Sequence, residues 1–327
     1  MMAKTRTGGW WAKMEREAVT LGKASETIES QGDLPAGTLW AADHLRMAID
    51  RRLRTLVSGA HGMPKQLHQA MGYSLLAPGK RIRPLLTLLT SFHFGIKDLA
   101  ALDSACAIEM VHTASLIMDD LPSMDNAAMR RGQPTAHLKF GEDIAILSGI
   151  ALLSQAFGLV ASSEKIGDAT RVDLVRVLSK AVGADGLVGG QVIDLRERTR
   201  DLGRGRLEKL NKLKTAGLFV ASVEAGALVA RASHDTLDMV RQFGTELGLA
   251  FQIADDRLDD PTFAGKTGKD TGKDNGKTTL QSTLGKNEAE RILGEHLRAA
   301  HEILGRMGKA NSPLKAYVES SFAQFQS

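Results

Sequence analysis

Residues 99–120 read Leu99-Ala100-Ala101-Leu102-Asp103-Ser104-Ala105-Cys106-Ala107-Ile108-Glu109-Met110-Val111-His112-Thr113-Ala114-Ser115-Leu116-Ile117-Met118-Asp119-Asp120. Up to Met118 the run is rich in Ala, Leu, Ile and Met, which a buried helix accepts. Two adjacent carboxylates then close it. The reading is a buried helical rod with Asp119 and Asp120 standing at its end.

Outward from this rod the helical rhythm recurs. Leu45, Ile49, Leu53 and Leu56 follow at three and four residues, as the buried stripe of a helix does. Similar patterns predict helices at roughly 143–163, 169–182, 206–232, 235–258 and 287–306. No run alternates with period two between turn residues, so no sheet is expected. Aromatic residues make up only 5% of the chain, which suits a helix core of Leu, Ala, Val and Met. No long repeat suggests a solenoid. The predicted fold is all-α, a single-domain helical bundle over residues 34–327, preceded by an extension at 1–33.

Composition sets limits on function. The chain has 327 residues, 43% of them hydrophobic, enough for a sizeable core. Net charge is +4, and basic residues sit beside acidic ones rather than in a stripe, so nucleic-acid binding is not expected. Cys106 is the single cysteine, which excludes an intrachain disulfide and fits a cytoplasmic protein. Neither an unbroken apolar run long enough to cross a membrane nor a signal-peptide core is expected.

Turn residues break the rhythm at Ala77-Pro78-Gly79, after Asp125, and from Pro261 to Lys277. Chemistry-bearing residues gather at the same places. In an unbroken helix Asp119 and Asp125 would stand about 240° apart. Pro122 removes a backbone donor and disfavours helix before it, so a break there would return Asp125 to the side of Asp119. In the second acidic stretch, Phe251 to Pro261, Asp255 and Asp259 are four apart and share a helix face. A bound cation would offset their repulsion; a solvated charged face paired with Arg257 is the plainer alternative. The carboxylates, Asp119, Asp120, Asp125, Asp255, Asp256 and Asp259, offer oxygen alone, with no Cys or His at zinc spacing. Oxygen ligands and a phosphate substrate suit Mg²⁺.

Cationic residues flank these acids. Gly79-Lys80-Arg81-Ile82-Arg83-Pro84 leads into an apolar helix, and Lys80 and Arg83 are spaced to grip one anion. Arg130-Arg131-Gly132 follows the first acidic motif. Arginine donates to phosphate oxygens in pairs, whereas lysine acts as a point charge. Between Gly265 and Thr279 a Gly/Lys/Asp-rich stretch lacks the glycine spacing and preceding strand of a P-loop, and reads as a lid or a polar loop.

Together these residues resemble the trans-isoprenyl diphosphate synthases, most closely the bacterial geranylgeranyl diphosphate synthases. The resemblance runs from about Leu75 to Leu304. It rests on Gly79–Pro84, Asp119–Asp125 with Arg130–Gly132, Lys212–Gly217, Phe251–Asp259 and the Thr267–Leu280 stretch. It implies the isoprenoid synthase bundle around a central cavity, a homodimer, and Mg²⁺. Asp119, Asp125 and Asp255 then match metal ligands, with Asp120, Asp256 and Asp259 completing the motifs. Lys80, Arg83, His112 and Arg131 match contacts to isopentenyl diphosphate. Arg130, Lys214, Lys269 and Lys277 match contacts to an allylic diphosphate, and Thr215 and Gln252 the polar groups near its reacting carbon. The implied product is C20, because Ala114 and Ser115 are small where aromatic residues accompany C15 products. Two departures stand out: Pro78 precedes Gly79, and Asn126-Ala127-Ala128 replaces an acidic run.

Overall fold

The computed structural model describes residues 38–59, 62–197, 204–258, 285–309 and 312–323. The extension at 1–33 and the motif residues Asp259, Lys269 and Lys277 lie outside the described residues.

Helix α4 (Leu102–Asp119) is the rod expected from residues 99–118. Every side chain from Ser104 to Val111 is buried, as is that of Ile117. Such all-round burial needs neighbours on every side. They are α1 (Thr38–Ser58), α2 (Lys65–Leu75), α3 (Ile82–His93), α6 (Glu142–Ala161) and α10 (Gly217–Val229). Helix α10 is buried on nearly every side too, and packs on α3, on α7 (Asp168–Val182) and on α11 (His234–Leu258). Helix α12 (Lys286–Arg306) covers α11, and α13 (Pro313–Phe322) covers α1 and α3.

The outer helices show one apolar stripe each. In α1, Ala42, Leu45, Ile49, Leu53 and Val57 are buried, and Leu56 packs at the edge of the core. Burying one such Leu or Ile contributes about 1.5–3 kcal/mol. These residues join a single hydrophobic cluster running through the bundle.

Three features depart from the sequence expectation. The stretch expected as one helix over 206–232 is α9 (Arg204–Asn211), a π-helical turn over Lys212–Ala216, and then α10. The wider turn fits because glycines face it. A Cβ on Gly190 of α8 (Leu187–Glu197) would lie 2.7 Å from the Lys214 nitrogen, and one on Gly248 of α11 2.6 Å from the Ala216 Cα. Second, a hairpin pairs β1 (Met129–Arg130) with β2 (Gln133–Pro134). Its two-residue loop, Arg131-Gly132, has φ of 52° and 75°, the left-handed pair that turns adjacent strands back on themselves. Helix α5 (Ala136–Phe140) follows it.

Third, α6 is long and apolar enough by composition to cross a membrane, with a mean hydropathy of 2.1 over its best window. Ser148, Gly149, Ser154 and Gln155 interrupt its apolar residues, so no continuous run shows in the sequence. One face packs on α4, while Leu147 and Ile150 on the other are 52% and 53% exposed.

Candidate functional site

Asp119 is the last residue of α4, and Asp120 caps it. The chain then turns sharply through Leu121–Met124. The Asp125 N–H donates to the Asp119 carbonyl at 2.9 Å, and that of Asn126 to the Leu121 carbonyl at 3.0 Å. Asn126 takes a left-handed φ of 47°, which asparagine tolerates better than most residues. The break expected at Pro122 thus folds Asp125 back to Asp119. Burial pushes the Asp119 carboxyl up to about 6, and the charges of Asp125 and Asp120 add to this while Lys214 opposes it.

Asp120 turns elsewhere. It is buried, and Arg130 grips it with Nη2 at 2.6 Å and Nε at 3.0 Å. The hairpin is what presents Arg130 to it. Arg130 and Asp120, expected to meet a substrate and a metal, are here each other's partners.

The π-helical turn carries the next two site residues. Lys214 Nζ donates to Asp194 of α8 at 2.5 Å. Thr215 Oγ1 donates to Gln252 Oε1 at 2.5 Å, and Gln252 Nε2 donates to Asp256 Oδ1 at 2.6 Å. A relay therefore runs from the turn to the second acidic motif on α11. Because Lys214 also acts electrostatically on Asp119, this turn joins the two aspartate clusters. Lys80 and Asp255 line a cleft of about 300 Å³ together with Leu86, Phe219, Phe251 and Tyr317.

Arg83 lies at the start of α3, half-buried. Its guanidinium sits 4.7 Å from the centre of the Phe219 ring and donates to Nε2 of His112 at 3.4 Å. Its Nε is buried with no acceptor. Burial lowers the Arg83 pKa to about 10, against the opposing pull of Glu109 and Asp255. Burial, then the charges of Arg83, Arg131, Arg130 and Arg81, hold His112 well below the usual imidazole value. At neutral pH His112 is therefore an uncharged acceptor among arginines.

The spacing of Lys80 and Arg83 predicts that they grip one anion from the same side of the turn. Arg81 between them is left-handed, with φ of 50°, and buried. It donates to Asp50 at 2.9 Å, Glu109 at 2.6 Å, and the carbonyls of Leu75 and Ala77 at 3.1 and 3.0 Å. Arg81 fixes the turn, Lys80 stays exposed, and Arg83 points inward. Arg131 packs across Gly79, where a Cβ would lie 3.2 Å from its guanidinium carbon, and its Nη2 is 3.7 Å from Glu109. Sequence reasoning missed Glu109 and Asp194. Glu109 could have been noticed as the single acid between Ser104 and Met118; Asp194, 20 residues from Lys214, had no local signal.

The donor set fits magnesium bound with a substrate. Among the described residues no three His, Cys, Asp or Glu side chains converge on a closed metal site. What exists is Asp119 beside Asp125, oxygen donors whose mutual repulsion a divalent cation would relieve. Mg²⁺ takes one or two carboxylates and fills its remaining positions with water and phosphate oxygens.

Comparison with known proteins agrees with this geometry. The polyprenyl synthetase family model matches residues 64–312. Geranylgeranyl diphosphate synthase of Pantoea ananas is 42% identical over 284 residues, covering 86% of this chain and 93% of that protein. Farnesyl diphosphate synthase of Geobacillus stearothermophilus is also 42% identical, over 277 residues, covering 84% and 93%. Among solved structures, an FPP/GFPP synthase from Zymomonas mobilis superposes with a TM-score of 0.75 at 33% identity, covering 93% and 99% of the two chains. A geranyltransferase from Helicobacter pylori, complexed with magnesium and isoprenyl diphosphate, gives 0.78 at 28% identity, covering 89% and 98%. The chain belongs to the polyprenyl synthetase family and is a trans-prenyltransferase.

Proposed function

We propose that the enzyme joins an allylic diphosphate to isopentenyl diphosphate, with Mg²⁺, to make the C20 geranylgeranyl diphosphate. The observation that carries the two-diphosphate reading is a double seat. One is acidic, with Asp119 beside Asp125 and Lys214; the other is cationic and free of acid ligands but for Glu109, with Arg83, His112 and Arg131. Asp119 with Asp125, and separately Asp255, would hold Mg²⁺, which supplies charge stabilisation to the departing diphosphate. Lys214, held by Asp194, neutralises the same developing charge. Lys269 and Lys277, outside the described residues, are proposed to assist it.

The Thr215 hydroxyl donates a hydrogen bond to Gln252, and Gln252 in turn donates one to Asp256. This relay leaves the Thr215 oxygen lone pairs as a fixed dipole for the allylic cation. Arg83, His112 and Arg131 hold isopentenyl diphosphate so that its double bond meets that cation. The released diphosphate is the base that takes the final proton.

Product length is assigned on α4. Ser115 lies one turn before Asp119 on the same side and is half-buried, whereas Ala114 is 4% exposed inside the core. Of the two small residues expected along the tail's path, we assign the wall to Ser115, the less buried one. Ser115→Tyr should shift the main product from C20 to C15, since an aromatic ring fills about one helical turn of depth. Ala114→Tyr should instead overpack the core, at about 1–3 kcal/mol. Labelled isopentenyl diphosphate incubated with each allylic primer, followed by chromatography of the dephosphorylated products, tests both. A C15 product from the parent enzyme would support the second reading, favoured by the farnesyl diphosphate synthases among its relatives.

The exposed apolar face of α5 and α6 supports a homodimer. Leu138, Leu147 and Ile150 are each more than half exposed. Ile150→Glu should convert the dimer to a monomer of half the mass in light scattering; a parent enzyme already monomeric would remove the proposal. The lone cysteine, buried and unpaired, supports a cytoplasmic location.

A further inference from the structure

We propose that Glu109 is the resident counter-charge of the cationic seat. It holds the arginines together while no diphosphate is bound, and it opposes the diphosphate once that arrives. The proposal rests on reading Arg83, His112 and Arg131 as the seat for isopentenyl diphosphate.

Glu109 has a side chain only 2% exposed and stands on α4 one turn before His112. Its Oε1 accepts from Arg81 at 2.6 Å and lies 3.7 Å from Arg131. Its charge also acts on Arg83. Arg83 lies 3.4 Å from His112, and the charges of Arg131, Arg130 and Arg81 also act on that ring. Arg130 is balanced by Asp120 and Arg81 by Asp50. For Arg83 and Arg131 the largest nearby negative charge is Glu109, Arg83 with help from Asp255 and Arg131 with help from Asp50.

Guanidiniums withdrawn from water repel each other unless an anion lies among them. In the free enzyme Glu109 is that anion. A bound diphosphate supplies more negative charge to the same groups, and Glu109 then becomes a like charge close to it. Removing the Glu109 charge should therefore have two opposite consequences. The ligand-free enzyme becomes less stable, and the diphosphate binds more tightly. A residue that only packs, or only orients, would move both in the unfavourable direction.

Glu109→Gln is the test, because it keeps the shape and an oxygen for Arg81 while removing the charge. Arg81 retains Asp50 and the two backbone carbonyls, so the turn stays anchored. In EDTA, which leaves the acidic seat without metal, the variant should melt several degrees lower than the parent. Calorimetry should show isopentenyl diphosphate binding about tenfold tighter. Glu109→Asp retains the charge and should bind within about twofold of the parent. The Michaelis constant for the allylic substrate should not move in either variant. If Glu109→Gln is recovered folded only with isopentenyl diphosphate present, that dependence is itself the expected result; an unfolded variant that the ligand does not rescue overturns the proposal. Unchanged or weaker binding by a folded Glu109→Gln overturns it also. Arg83→Ala runs in parallel. If it binds isopentenyl diphosphate as the parent does, the seat reading falls and the proposal with it. If Arg83→Ala weakens while Glu109→Gln is unchanged, the proposal alone falls.

Discussion

Asp119→Ala should lower turnover by about a thousandfold or more while the fold survives. A metal-borne charge on the leaving group is worth several kcal/mol, and each 1.36 kcal/mol is tenfold in rate. Asp120 cannot replace it, being committed to Arg130, and Asp125 is left as the first motif's remaining carboxylate for the metal. Steady-state assays at saturating Mg²⁺ decide the matter; near-parental rates would remove the metal assignment. Stability should move the other way. A carboxyl raised from 3.8 to about 6 favours folding in its protonated form. That stability is complete below pH 3.8 and is lost as pH rises through 6. Metal-free Asp119→Asn should thus be more stable than the parent at pH 8, on the order of 2 kcal/mol after allowing for partial exposure, with no difference near pH 4. Melting in EDTA at the two pH values measures it, and Mg²⁺ with an allylic diphosphate should close the gap by stabilising only the parent.

Arg83→Ala should raise the Michaelis constant for isopentenyl diphosphate about ten- to a hundredfold, with a much smaller change for the allylic substrate. Charge-assisted hydrogen bonds contribute about 1.5–3 kcal/mol, and each 1.4 kcal/mol is tenfold in affinity. Uniform binding lost in this way appears in the Michaelis constant more than in turnover. The fold should tolerate the change, because the Arg83 Nε has no acceptor and its charge is already disfavoured by burial. Initial rates with each substrate varied in turn provide the check. A rise confined to the allylic substrate would reverse the assignment of the two seats.

How much of this could be read from the chain differs between elements. Helix α4 was legible from residues 99–118 because all-round apolar composition marks a buried helix whatever surrounds it. The stripe of α1 and the limits of α7, α11 and α12 followed from spacing. Helix α8 was not legible: Gly189 and Gly190 weaken its local preference, and Gly190 is there because the backbone of Lys214 passes against it. The π-helical turn was hidden for the same reason, since its width is set by glycines on two other helices.

Among the site residues, the sequence by itself determined the chemical inventory: two acidic motifs, the basic turn before them, Arg130-Arg131, and the Lys214-Thr215 and Gln252 pair. It also determined that Pro122 would break the helix and bring Asp125 back, because proline's constraint is local. Only the tertiary structure decided which charges face each other. Arg81 and Arg83 are chemically alike and two residues apart, yet one is a buried anchor and the other a half-buried, incompletely satisfied donor. Asp119 and Asp120 are neighbours, yet the hairpin delivers an arginine to Asp120. Ala114 and Ser115 differ by one step around a helix whose rotation is fixed by its neighbours. Spacing along a chain gives relative angles on one helix; the direction in which that helix turns its faces comes from packing against others, and no stretch of its own sequence contains it.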